Sequence, residues 1–126
     1  MLYGAAARRC WRLLLLALLL VISYLALTPL PPKALDTGWD KLNHFLAFAS
    51  LAWTAFWSLA PRRLRWLWVL LALLAYGGAI ELIQLHVPGR DGDWADLLAD
   101  AIGISLGLLP TCLLHRALAG APAPAR

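Results

Sequence analysis

The sequence predicts an all-α membrane protein: four transmembrane helices in a compact antiparallel bundle, with both termini in the cytoplasm. Three observations predict it. Four apolar runs, each of roughly 17–20 residues, recur along the chain, and a run of that length crosses a ~30 Å hydrocarbon core as a helix. Only 14% of the 126 residues are charged while 62% are hydrophobic. A soluble domain carries roughly 25% charged residues, so lipid is the expected solvent. The arginines, finally, are divided unequally between the two ends of the runs.

The first span is expected at residues 11–28, nearly pure leucine from Leu13 to Leu20 and closed by Pro29, Pro31 and Pro32. Arg8, Arg9 and Arg12 precede it as a signal-peptide n-region would. Its apolar stretch is too long for a cleaved signal, however, and no small-x-small cleavage site follows, so the helix is expected to be retained. The second span is expected at 42–60, stopping at Pro61, and the third at 66–85, stopping near Pro88. The short connection at 61–65 makes these two antiparallel neighbours. The fourth is expected at 95–114, with Pro110 inside it, where the missing amide hydrogen should bend or loosen the last turns. The organisation is therefore a cytoplasmic N-terminus at 1–10, one membrane domain at 11–118 and a Pro/Ala-rich, disordered cytoplasmic tail at 119–126.

Orientation follows from charge. Arg8, Arg9, Arg12, Arg62, Arg63, Arg65, Arg116 and Arg126 flank one side of the spans, and Lys33, Lys41 and Arg90 the other. Basic residues are retained in the cytoplasm, which fixes both termini there. Trp11, Trp57, Trp66 and Trp68 fall near the inner boundary and Trp39 and Trp94 near the outer one, the layer that indole rings favour. The net charge of +4 does not point to nucleic acid, because the basic residues sit in short clusters beside apolar runs. Cys10 and Cys112 form no metal or redox spacing and read as spectator thiols.

All seven acidic residues, Asp36, Asp40, Glu81, Asp91, Asp93, Asp96 and Asp100, fall on the outer side or in the outer ends of spans. Asp40 is placed to cap the second helix, with His44 one turn deeper. Glu81 and Gln84 share a face near the end of the third. Asp93, Asp96 and Asp100 line one face at the start of the fourth. The topology brings Asp40, Lys41, His44, Glu81, Gln84, Arg90, Asp93, Asp96 and Asp100 to one outward-facing pocket. Ionisable groups at membrane depth are costly and default to a functional reading. Gly103 and Gly107 form a GxxxG pair and Gly77 and Gly78 a matching small surface, for close helix packing inside the bundle.

These residues carry a resemblance. D-K-x-x-H-F-x-x-F at 40–48, E-x-x-Q-x-x-x-P-G-R at 81–90, and then Asp93, Asp96, Gly103 and Gly107, resemble in order and spacing the VanZ-like family of bacterial membrane proteins. Asp100 departs from it, standing where the family usually has Asn, and adds a carboxylate to the pocket. The family's best-known member is an accessory protein for low-level resistance to the glycopeptide teicoplanin. The resemblance therefore implies a multi-pass protein of the cell envelope, in the bacterial inner membrane.

Three functions fit these residues. In the first, the pocket binds an anionic lipid head group, a cell-wall precursor or a partner, with Lys41 and Arg90 gripping the anion. In the second, an outer-leaflet enzyme uses the His/Glu/Asp cluster. No motif demands a cofactor, but His44, Glu81, Asp96 and Asp100 are of the type that ligates a divalent metal. In the third, Glu81–Arg90 and Asp96–Lys41 pairs merely lock the helix ends. A transporter is disfavoured, since the inner side offers no matching polar entry. Neither the ligand nor the oligomeric state is readable.

Overall fold

The computed structural model describes residues 4–29 and 37–120, with side chains up to 117. The expectations placed on Pro31, Pro32, Lys33, Asp36 and Arg126, and on the tail beyond 120, lie outside the described residues. Four helices follow one another: α1 (Ala5–Leu27), α2 (Asp40–Ser58), α3 (Arg65–Gln84) and α4 (Trp94–Gly120). Among the described residues there is no strand. Three helices, α1, α3 and α4, are long and apolar enough to cross a membrane. They turn rows of leucines outward, among them Leu13, Leu16, Leu20, Leu71, Leu98 and Leu106. So much contiguous exposed apolar surface marks a chain solvated by lipid.

The fourth helix, α2, does not reach that composition, and its packing gives the reason. It touches all three other helices, whereas α1 and α4 do not meet. Three of its polar residues face protein: His44, Thr54 and Ser58 are buried beside Phe48, Leu51, Phe56 and Trp57. A helix encased by neighbours needs no apolar surface all round. The contacts also set directions. Arg12 Nε, near the start of α1, donates to the Ser58 carbonyl at the end of α2. Gly103 and Gly107 of α4 lie against the backbone of Phe45 and Ala49, so α4 runs alongside α2 in the same sense. Side chains on these two glycines would collide with α2 carbonyls. Gly77 of α3 is packed likewise against Asp100, Phe48 and Leu97, while Gly78 has open space beside it.

Helix ends differ from expectation in three places. α1 begins at Ala5, a turn and a half before the first apolar residue of the run, because a helix continues past its hydrophobic part without a hydropathy signal. Asp40 is not the cap of α2. Trp39 occupies that position without a side-chain bond, and Asp40 stands in the first turn, where its charge still meets the positive end of the helix dipole. α4 continues through Pro110 to Gly120.

Candidate functional site

The polar groups gather at the end of the bundle where α2 and α4 begin and α1 and α3 end. His44 is the centre. Its Nδ1 lies 2.9 Å from Asp100 Oδ1, to which it is hydrogen-bonded, and 3.8 Å from Glu81 Oε1. One side chain each from α2, α4 and α3 thus meets at a point, and all three are buried: His44 is 7% exposed, Glu81 2% and Asp100 0%. The ring of His44 stacks parallel on Phe48, one turn further along α2. Glu81 Oε2 accepts the backbone N–H of Asp93 at 2.8 Å, which ties the end of α3 to the start of α4. Two buried oxygens, Glu81 Oε1 and Asp100 Oδ2, accept no hydrogen bond.

Above this centre lies a second layer. Lys41 Nζ bridges Asp93 Oδ2 at 3.0 Å and Asp96 Oδ1 at 3.3 Å. Asp93 also caps α4, accepting the N–H of Ala95 at 2.8 Å. That amide bond first, and Lys41 second, hold the Asp93 carboxyl below the usual aspartate range. Asp40, His44 and Asp96 form one set of groups that could hold a metal ion, and His44, Glu81 and Asp100 another, with the candidate atoms of each set within 4.8 Å of one another.

Arg90 and Gln84 do something the sequence did not announce. Gly89, at φ +79°, makes a turn that glycine adopts without strain and sends Arg90 back towards α1. There Arg90 Nε donates to the Thr28 carbonyl at 3.0 Å and Nη2 to that of Leu25 at 2.5 Å, while Gln84 Nε2 donates to that of Ala26 at 3.0 Å. The last carbonyls of a helix have no partner within it. Here a cation and an amide supply the donors, at the negative end of the α1 dipole. The expected Glu81–Arg90 pair does not form. Its members point to different neighbours, Glu81 to His44 and the Asp93 amide and Arg90 to α1, whereas Lys41 and Asp96 do pair.

Beside these residues a groove of about 250 Å³ opens between α1 and α2. Its walls are apolar, from Ile22, Leu25 and Ala26 on α1 and Leu46, Ala47 and Phe48 on α2. Its end is polar, with Thr37, Asp40, Asn43, His44, Gln84 and Arg90. Glu81, Asp96 and Asp100 lie behind His44 rather than in the groove, and Lys41 does not line it. The contribution of α1 was invisible in the sequence, because Ile22, Leu25 and Ala26 look like any other residues of a leucine-rich span. Tyr76 was missed for a similar reason. Its hydroxyl shares a 2.7 Å hydrogen bond with Ser23 Oγ and donates to the Leu19 carbonyl, joining α3 to α1. A lone serine facing a lone tyrosine on two apolar runs was the available signal. Cys10 and Cys112 are both free.

Comparison with known proteins gives the following. The profile of the VanZ/LLP1 family matches residues 10–115. An uncharacterized protein of Schizosaccharomyces pombe is 31% identical over 103 residues, which are 80% of this chain and 62% of that protein. The chain thus spans less than two thirds of its relative's length. No solved structure matches.

Proposed function

This chain belongs to the VanZ/LLP1 family, and from that premise we propose that it binds one amphiphile, an anionic lipid, in the groove between α1 and α2. The observation that carries the reading is the two-part lining of the groove: hydrocarbon walls along its length and Arg90 with polar neighbours at its end. Ligand sites are commonly apolar clefts with a few convergent polar groups. Among the described residues no carboxylate lies within ion-pair distance of Arg90, so carbonyls satisfy its hydrogen bonds while its charge stays available to an anion. At this size the groove takes a head group and the first carbons of a chain, and the remaining chain lies along the exposed leucines. The other basic candidate, Lys41, is occupied by Asp93 and Asp96, so the grip rests on Arg90.

In this reading α2 is the fourth crossing and both termini are cytoplasmic, as the arginine distribution requires. The groove then opens at the outer leaflet, which in a bacterium is that of the inner membrane. A relative in a fungus favours a lipid found in both kinds of cell over a precursor of the bacterial wall. The test is the lipid retained by purified protein, read by native mass spectrometry with anionic and zwitterionic lipids in competition. Ala47→Phe, which fills the groove, should abolish preferential retention of the anionic lipid, and Arg90→Lys should weaken it. Equal retention by the wild type and Ala47→Phe would overturn the reading. A role in glycopeptide resistance is a separate outcome, read as teicoplanin susceptibility of a host expressing the protein.

A further inference from the structure

We propose that His44, Glu81 and Asp100 form a binding site for one divalent transition-metal ion of the zinc type. Three observations meet there. The first is convergence. One imidazole and two carboxylates, from three different helices, place their ligating atoms within 4.8 Å of one another. Around a four-coordinate zinc with bonds near 2.1 Å, ligand atoms sit about 3.4 Å apart. The observed separations of 2.9 Å and 3.8 Å from His44 Nδ1 to Asp100 Oδ1 and Glu81 Oε1 bracket that value.

The second is unmet valence. Glu81 Oε1 and Asp100 Oδ2 are buried and accept no hydrogen bond. Buried polar atoms without a partner are rare, and each calls for an explanation. A cation between the two carboxylates gives Glu81 Oε1 the partner it lacks. The third is charge. Lys41, the one lysine among the described residues, reaches Asp93 and Asp96 but neither Glu81 nor Asp100, so His44 is the only basic group in ion-pair contact with those two among the described residues. A divalent ion with a neutral imidazole balances two carboxylates.

The surroundings are those of a ligand site. Glu81 Oε2 is held by the Asp93 amide, which leaves Oε1 directed at His44, and hydrogen bonds of this kind orient metal ligands. Gly77 leaves room for the Asp100 carboxylate, which a methyl group there would strike. Mixed nitrogen and oxygen donors suit zinc, manganese and iron(II). His44 also borders the groove, so the ion would sit just behind the groove's polar end.

This inference does not rest on the lipid reading, and the experiment separates them. Full-length protein in detergent is titrated with Zn²⁺, Mn²⁺ and Co²⁺, with bound metal measured by mass spectrometry and cobalt followed by its visible absorption. The wild type is expected to bind one ion per chain, with a cobalt spectrum of nitrogen and oxygen ligation. Glu81→Gln and Asp100→Asn should each lower affinity at least tenfold, and the exposed Asp91→Asn should not. Ala47→Phe, which blocks the groove, should keep the metal. Absence of stoichiometric metal from the well-folded wild type would overturn the proposal, whatever the variants do. So would undiminished binding in Glu81→Gln and Asp100→Asn.

Discussion

Arg90 donates a hydrogen bond from Nη2 to the carbonyl of Leu25, joining residues 65 positions apart and closing the open end of α1. A second bond, from Nε to Thr28, makes the contact two-pronged. Arg90→Ala should therefore lower stability by roughly 3–6 kcal/mol, since two hydrogen bonds from a charged group are lost and each contributes about 1.5–3 kcal/mol. Arg90→Lys should recover part of the loss, because an ammonium reaches one carbonyl but lacks the fork. Thermal unfolding in detergent measures both. A loss in Arg90→Ala below about 0.5 kcal/mol, the low end for an ordinary hydrogen bond, would remove the capping role.

Gly77 and Gly78 adjoin in sequence but should behave oppositely. A methyl at Gly77 meets the Asp100 carboxylate and the Phe48 ring, so Gly77→Ala should cost about 1–3 kcal/mol, as overpacking does. Nothing stands within 4 Å of a methyl at Gly78. There, replacing a mid-helix glycine should stabilise by roughly 0.5–1 kcal/mol. Parallel melting curves of the two variants give the comparison, and similar shifts in both would refute it.

Asp93 predicts a pH dependence. Its carboxyl titrates below the ordinary aspartate value in the folded chain, through the Ala95 amide first and Lys41 second. A depressed folded value stabilises above the unfolded value and loses that stabilisation as pH falls through the folded one. Asp93→Ala should therefore melt below the wild type at neutral pH, and the gap should narrow only once pH drops beneath the ordinary value of 3.8. A gap that holds constant through that acid range contradicts the assignment.

The proposed topology has a direct chemical test. In a chain whose native cysteines are replaced, single cysteines at positions 10, 63 and 91 report the sides of the membrane. Four crossings put 10 and 63 together inside and 91 outside, so an impermeant maleimide should label 91 alone in intact cells. If α2 does not cross, 63 becomes the labelled position and 91 the protected one.

The apolar runs located the helices within a few residues, except where a helix outlives its hydrophobic part, as at Ala5 and beyond Leu114. Periodicity also put Asp96 and Asp100 on one face of α4, and both are buried there. What was not legible is partner choice. Glu81 and Arg90 are nine positions apart, of opposite charge, and look like a pair. The positive φ of Gly89 instead turns Arg90 to α1, and the cap on α4 brings the Asp93 amide to Glu81. Such choices depend on loop geometry, which leaves no periodic trace. The backbone carbonyls that Arg90, Gln84 and Arg12 bond to are present at every residue and so carry no signal at all.

The encasement of α2 bears on how the protein is made. The helix with His44 is the one of the four that is not apolar enough to cross a membrane by composition, so its placement depends on its neighbours. A ribosome delivers those neighbours in order, and α4 emerges last. Until it does, Asp100 is not there to meet His44, and Gly103 and Gly107 are not there to cover Phe45 and Ala49. Completion of the polar cluster therefore waits for α4, and a chain truncated after α3 should be left with an orphaned, protease-sensitive α2.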